Sequence, residues 1–414
     1  MRNAHNRKMQ EGFFAYNIGG DMTIERSLSF PDLLDRTILT VNTCYADTKG
    51  ERLLQDYVEL TASDTFGGHY RRISDDNGAI WSLPQTLFTP VQTPQGTWRR
   101  GESTVLADYE EGAVLHFFNM PLYPEGIFSG AVGQYTRIFL QVSFDKGATL
   151  SAPFPLIETG KDPVHWCEGV TYGKNSAAIS FCNPVKHRGT ILLPVQKIPE
   201  GADFTRPFDI RWESGCFIGR WNNRMIEWEL GETVTVDETL SSRGLCEPAI
   251  AELSDGRLLM VVRTSNSRMP QMKNYRRAFI SSDHGKSWQG PCLFSFDDGS
   301  PFFSPATGSW LLRHRMTGKL FWIANILDSN PDGNRPRYPL QIAEIDEEKI
   351  AVKKKTLVTI DTKRPEDSPL VQFSNFRVYE ERGSGDIILF MARLQEKGDL
   401  HSSSSPLYSY RIRM

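Results

Sequence analysis

Three copies of one short pattern constrain this chain more than any other feature. Ser281-Ser282-Asp283-His284-Gly285-Lys286-Ser287-Trp288 reads Ser-x-Asp-x-Gly-x-Ser-Trp; Ser74 to Trp81 keeps the Ser, Asp, Gly and Trp at the same offsets, and Ser143 to Leu150 is a third copy with Leu in place of Trp. The central residues Asp76, Asp145 and Asp283 stand 69 and 138 residues apart, and 138 is twice 69. A repeated supersecondary unit explains that register, with one degenerate copy near Cys216 to Trp221 and a worn one near Ile345 to Glu348. In each copy the Ser and Asp side chains bond nearby backbone in a tight turn, the Gly supplies a positive φ and the aromatic residue covers the flanking strands. Such aspartates are structural and need no ligand.

Strand-like apolar runs recur between turn signals at the same interval. They are Thr37–Val41, Ala113–Phe118, Gly189–Val195, Arg257–Val262, Lys319–Ala324 and Asp386–Met391. Six runs predict six units. The first 21 residues read as an extension and 22–414 as one domain.

Composition narrows the class. With 33 Gly, 24 Pro and 39% hydrophobic residues the chain can bury a large core with many turns. Its net charge of −3 gives no electrostatic footprint for nucleic acid. No run of about 18 apolar residues predicts a membrane helix, and Met9 to Asp21 lacks the apolar core of a signal peptide, so the expected location is cytoplasmic. The six cysteines lack C-x-x-C spacing, and no metal-ligand spacing, phosphate loop or nucleophile elbow is present. No cofactor or metal is expected.

The Ser-x-Asp-x-Gly-x-Ser-Trp copies resemble the Asp-box of the sialidase (neuraminidase) superfamily. That resemblance implies an all-β, six-bladed β-propeller (sialidase-like), with the Asp-boxes on the face away from the active site and each of the six apolar runs as the second strand of a blade. Because such a ring leaves no free sheet edge, the N-terminal strand around Ser29 to Val41 is then expected to complete the last blade beside the C-terminal strands ending at Tyr410. It extends to Cys246-Glu247-Pro248-Ala249 running on to Arg263. The family has a Glu near the start of a blade and an Arg at the end of its second strand, flanking the central pocket. Glu247 then stands as the carboxylate partner of the nucleophile and Arg263 as one of three substrate arginines. A planar guanidinium holds a sugar carboxylate bidentately, which lysine does less well. Arg337 occupies the matching place for the third arginine, with Arg335 and Arg313 as competitors.

The resemblance fails at two points. The family's tyrosine nucleophile belongs at the start of the last blade, where Val371 to Val378 contains no tyrosine; Tyr338 is the candidate substitute, with a core or rim role as its alternative. The Arg-Ile-Pro motif bearing the first arginine is also missing, and neither Arg26 nor Arg36 replaces it convincingly. Asp64, shortly before the first Asp-box, is the candidate general acid, and beside Gly67-Gly68 it also reads as an ordinary turn residue. Arg100, His165 and Trp166 complete the candidate substrate contacts, the Trp as a platform for an apolar sugar face. The implied activity is exo-hydrolysis of a terminal acidic sugar from a glycan. Alternatives on the same propeller are a uronate-directed hydrolase or lyase and a non-catalytic glycan-binding module.

Overall fold

The computed structural model describes residues 22–124, 134–206, 209–398 and 404–414, together with the backbone of 14–16. The described residues form six antiparallel sheets of four or five strands and one small three-stranded sheet. Sheet 1 runs Thr37–Tyr45, Leu53–Ala62, Thr65–Ser74, Gln85–Phe88; sheet 2 runs Ser103–Asp108, Ala113–Asn119, Ile138–Ser143, Phe154–Pro155. Sheet 3 begins with two short pieces, Ala177–Ala178 and Val185–His187, and continues through Thr190–Lys197, Glu213–Asn222 and Met225–Leu230. Sheet 4 is Cys246–Glu252, Leu258–Arg263, Arg277–Ser281, Gln289–Leu293, and sheet 5 starts Trp310–Arg313, Leu320–Asn325, Leu340–Asp346. Sheet 6 joins both chain ends: Arg377–Glu380, Ile387–Ala392 and Leu407–Arg413 are followed by Thr23–Leu28.

Second strands are buried on both faces, and their sequences are accordingly apolar without alternation. Ala113–Asn119, Leu320–Asn325 and Ile387–Ala392 are buried at every position. Five of the six predicted runs are second strands. The exception is Thr37–Val41, which lies in the first strand of its sheet, the second being Leu53–Ala62. The chain end does complete sheet 6, but through Thr23–Leu28 paired with Leu407–Arg413 and not through Ser29 to Val41. Of the stretch 1–21, only the backbone of Phe14–Tyr16 is described, paired with Thr23–Leu28; the rest of that stretch lies outside the described residues.

The three Asp-boxes are superposable hydrogen-bond cages. In each, the Ser hydroxyl donates to the Asp carboxylate at 2.7–2.8 Å and accepts the Gly amide at 2.8–2.9 Å. The same Asp oxygen accepts the amide four residues on, at 2.8–2.9 Å. All of the aspartates' chemistry is thus spent on the turn. The degenerate site near Cys216 to Trp221 is itself strand, and its sheet turns through Asn223-Arg224, both with positive φ. No Asp-box is needed where two left-handed residues already make a hairpin turn matched to strand twist.

Apolar clusters fill five of the seams between neighbouring sheets. The seam between sheets 1 and 2 differs. There the apolar cluster is small, and beside it Arg71 makes a bidentate pair with Asp56 at 2.6 and 2.8 Å, with His116 3.2 Å from the same carboxylate. Toward the centre, the first strands of sheets 6, 1 and 2 lie side by side, as do those of sheets 3, 4 and 5. Phe181, in the interruption of sheet 3's first strand, crosses to pack edge-on against Trp310 of sheet 5 and Phe376 at the start of sheet 6. Its φ of 45° and the absence of a side chain at Gly308, whose Cβ would come within 2.1 Å of the Phe181 ring, make that crossing possible. Among the described residues no helix is long and apolar enough to cross a membrane.

Candidate active site

The polar groups that gather at the hub sit where second strands end and where first and third strands begin. Arg263 is the last residue of the second strand of sheet 4, and its Nη1 donates to Glu247 Oε1 at 2.5 Å across the adjacent first strand. A β-bulge between Cys246 and Ala249, with Glu247 at φ 49°, turns this carboxylate out of the strand's alternation. Bulges and left-handed non-glycine residues re-aim side chains at a local cost of order 1–3 kcal/mol, and such positions cluster at functional sites. Glu247 Oε2 and Arg263 Nε are buried and have no hydrogen-bond partner. A buried carboxylate oxygen left unmatched is costly unless a ligand completes it.

Arg337 lies just before the third strand of sheet 5. Its Nη1 donates to Gln372 Oε1 at 2.9 Å and Ser374 Oγ at 3.3 Å, and its Nη2 to the Ala306 carbonyl at 3.2 Å. Asn325, wholly buried, donates to the Arg337, Pro339 and Phe373 carbonyls at 3.0–3.2 Å and so fixes the backbone that carries the guanidinium. Burial pushes Arg337 down to about 10, with the positive charge of Arg263 adding to the effect and Glu247 and Asp64 opposing it. Those four groups therefore share one electrostatic environment. Asp64 enters it from the hairpin between the second and third strands of sheet 1, at φ 51°.

Four further groups, Arg276, Glu102, Arg377 and Arg243, belong to the same environment, and sequence reading assigned a role to none of them. Arg276 is buried, donates to Ser304 Oγ and Thr307 Oγ1 at 2.9 and 3.1 Å, and has Nη1 without a partner. Burial pushes it down to about 9, against the field of Glu247. Glu102, at the entrance to sheet 2, accepts a 2.5 Å bond from Arg377 at the start of sheet 6. Burial raises the Glu102 carboxyl, Arg377 holds it down, and Glu247 and Asp64 push it up again. The available signal was positional: Arg276 immediately precedes the third strand of sheet 4, as Arg337 stands shortly before that of sheet 5. Arg243 feels the same three groups, Arg263, Glu247 and Asp64.

The positions named from sequence divide accordingly. Glu247 and Arg263 are paired, and Arg337 and Asp64 share their electrostatic environment. Tyr338 packs edge-on against Phe373 in the apolar cluster between sheets 5 and 6, its ring serving the core. The segment 371–378 puts Phe373, fully buried, where a tyrosine was sought. Trp166 is a correction: it is 0% exposed, stacked on Phe217 in the core, and offers no face to a sugar. Arg100 is buried in the seam between sheets 1 and 2, its guanidinium over Phe118 and its Nη2 on Gln141, so it is a seam residue. His165 is exposed and bonded to Asp162 and to no hub residue. The competitor Arg313 is committed to Glu347 at 2.6 and 2.7 Å.

Residues 68–368 match the profile of the family described as BNR repeat-like domain. The chain belongs to that family. Its three Asp-boxes lie within the matched residues, and the chain folds as a β-propeller. No curated protein matches it in sequence. Among solved structures, the NanB sialidase from Streptococcus pneumoniae superposes with a TM-score of 0.62 at 12% identity, covering 93% of this chain and 70% of that one. The intramolecular trans-sialidase from Ruminococcus gnavus gives 0.59 at 13% identity over 94% and 96%. A protein of unknown function from Dyadobacter fermentans gives 0.61 at 12% over 92% and 96%. At such identities the likeness is one of fold, and the chemistry of this BNR propeller rests on its own hub residues.

Proposed function

We propose that this chain is an exo-glycosidase that removes a terminal acidic sugar from glycans, using the hub of a six-bladed propeller formed by sheets 1 to 6 over residues 22–414. One observation carries the reading. Among the described residues, Arg243, Arg263, Arg276, Arg337 and Arg377 share one electrostatic environment with the carboxylates Asp64, Glu102 and Glu247, a positive surplus in a chain whose net charge is −3. Such a surplus calls for an anionic ligand. A sugar carboxylate seated against Arg263, Arg276 and Arg337 would satisfy the partnerless Arg263 Nε and Arg276 Nη1. The sialidase activities of the S. pneumoniae and R. gnavus proteins, which share the fold, support an acidic sugar as the ligand class.

The buried Phe373 favours carboxylate chemistry over a tyrosine nucleophile. In the scheme common to most glycosidases, one carboxylic acid protonates the leaving oxygen while a second carboxylate attacks or activates water. Glu247, with one oxygen held by Arg263 and the other unmatched, suits the second role. Asp64, on an open hairpin, suits the first. As the glycosidic bond breaks, Asp64 gives its proton to the departing aglycone oxygen, while a water activated by Glu247 adds its hydroxyl to the anomeric carbon and leaves its proton on Glu247; proton exchange with solvent then restores both carboxyl groups. A panel of fluorogenic α- and β-glycosides of sialic, glucuronic and galacturonic acids tests this. Turnover of an acidic member, falling at least 100-fold in Arg263→Met, is expected; no turnover of any acidic member contradicts it.

A further inference from the structure

A cleft of about 440 Å³, lined by none of the hub residues, opens between sheets 6 and 1. Arg72, from the third strand of sheet 1, lines it together with Asn77 and Trp81 of the first Asp-box and with Tyr379, Ser409 and Arg411 of sheet 6. The Arg72 guanidinium is held between two rings, 4.1 Å from the Phe30 centroid and 4.5 Å from that of Trp81. Its Nε donates to Gln55 Oε1 at 2.7 Å. With two rings packed against the guanidinium and Nε used, Nη1 and Nη2 remain for a ligand, and among the described residues no carboxylate pairs with them. Burial pushes Arg72 down to about 10, opposed only by the fields of two tyrosines.

Internal comparison shows that this charge is not what the repeat requires. Nine residues before Trp288 of the third Asp-box stands Phe279, and both belong to one apolar cluster. Nine residues before Trp81 stands Arg72. The motif's aromatic thus covers a ring in one repeat and a guanidinium in the other. Neither carboxylate lining the cleft pairs with Arg72. Glu25 is 2.8 Å from Arg413, and Glu381 accepts from Asn77, the Gly383 and Ser384 amides and the Ser384 hydroxyl at 2.6–2.8 Å. Arg411 is paired with Asp386 at 2.5 Å.

We propose that this cleft is an ancillary anion site, separate from the hub, in which the in-plane fork of Arg72 holds the carboxylate of an acidic saccharide. A fork presented edge-on matches two coplanar oxygens, and the neighbouring Trp81 and Tyr379 give the sugar ring apolar surface. The test follows the Trp81 indole N–H resonance, assigned with Trp81→Phe, while digalacturonate, acetate or sulfate is titrated into the full chain. Digalacturonate should shift the resonance in the wild type and in Arg263→Met, where the hub is impaired, and at least tenfold more weakly in Arg72→Gln. Acetate or sulfate shifting it as strongly would assign the site to small free anions and overturn the saccharide assignment. A resonance that does not move, or moves equally in Arg72→Gln, overturns the site. Should Arg72→Gln fail to fold, Ser27→Glu, at an exposed position beside the cleft, must weaken binding to a similar degree; unchanged affinity there also overturns it. Because the signal comes from Trp81, it reads the cleft whether or not the hub turns over a glycoside.

Discussion

Glu247 is the residue on which the proposed chemistry turns. Its left-handed backbone, its bulge and its unmatched Oε2 all oppose an ordinary strand role. Replacing it by glutamine keeps a hydrogen-bonding partner for Arg263 but removes the charge. Turnover of the acidic glycoside should therefore fall about 10²- to 10⁴-fold, with the melting temperature little changed; steady-state kinetics and a thermal melt on the same preparation check both. Glu247 and Arg263 were legible from sequence because 16 residues and an intervening Asp-Gly turn define a hairpin, and a hairpin brings its ends together. Arg276 and Glu102 were not, since neither lies in a repeat motif and only the meeting of different sheets makes them neighbours. Trp166 misled for the converse reason: an aromatic beside His165 and Glu168 has the composition of a sugar platform, and nothing local revealed that its ring turns into the core.

At the level of elements, the seams between sheets decide stability. Five are apolar, and the one between sheets 1 and 2 buries Asp56, Arg71, His69, His116 and Arg100. Burial drives both histidines down to about 3, and nearby arginines contribute in the same direction. Folded values below the ordinary 6.5 mean that the unfolded chain takes up protons first as pH falls. Their contribution to stability is full above about 6.5 and is lost progressively toward about 3. Asp56, held below its ordinary value by Arg71 despite burial, acts in the same sense at lower pH. Urea midpoints should decline from pH 7 to pH 4, and His69→Gln should flatten that decline; an unaltered slope would contradict the seam's role. Period and turn chemistry revealed the repeat, the Asp-box hairpins and five of the second strands. The polar seam was invisible, because its members come from different repeats.

On the scale of the whole molecule, both chain ends meet in sheet 6, where Thr23–Leu28 pairs with Leu407–Arg413. Ile24 anchors this closure at 4% exposure among Tyr410 and Ile412, whereas Leu28 on the same strand is 41% exposed. Ile24→Ala should cost about 2–5 kcal/mol and Leu28→Ala about 0.5 kcal/mol or less in equilibrium unfolding. Equal effects would show that the strand does not hold the sheet. Closure itself was foreseeable, since an open edge invites pairing; its register was not, because Thr37–Val41 is as apolar as a second strand although it is a first. The account's central claim is that a guanidinium-rich hub receives an anionic sugar. Calorimetric titration with galacturonic acid, sialic acid and their uncharged carboxamides tests it most directly. At least one acid should bind 100-fold more tightly than its amide, and Arg263→Met should abolish the difference; acids and amides binding alike, or an unchanged preference in the variant, would contradict it.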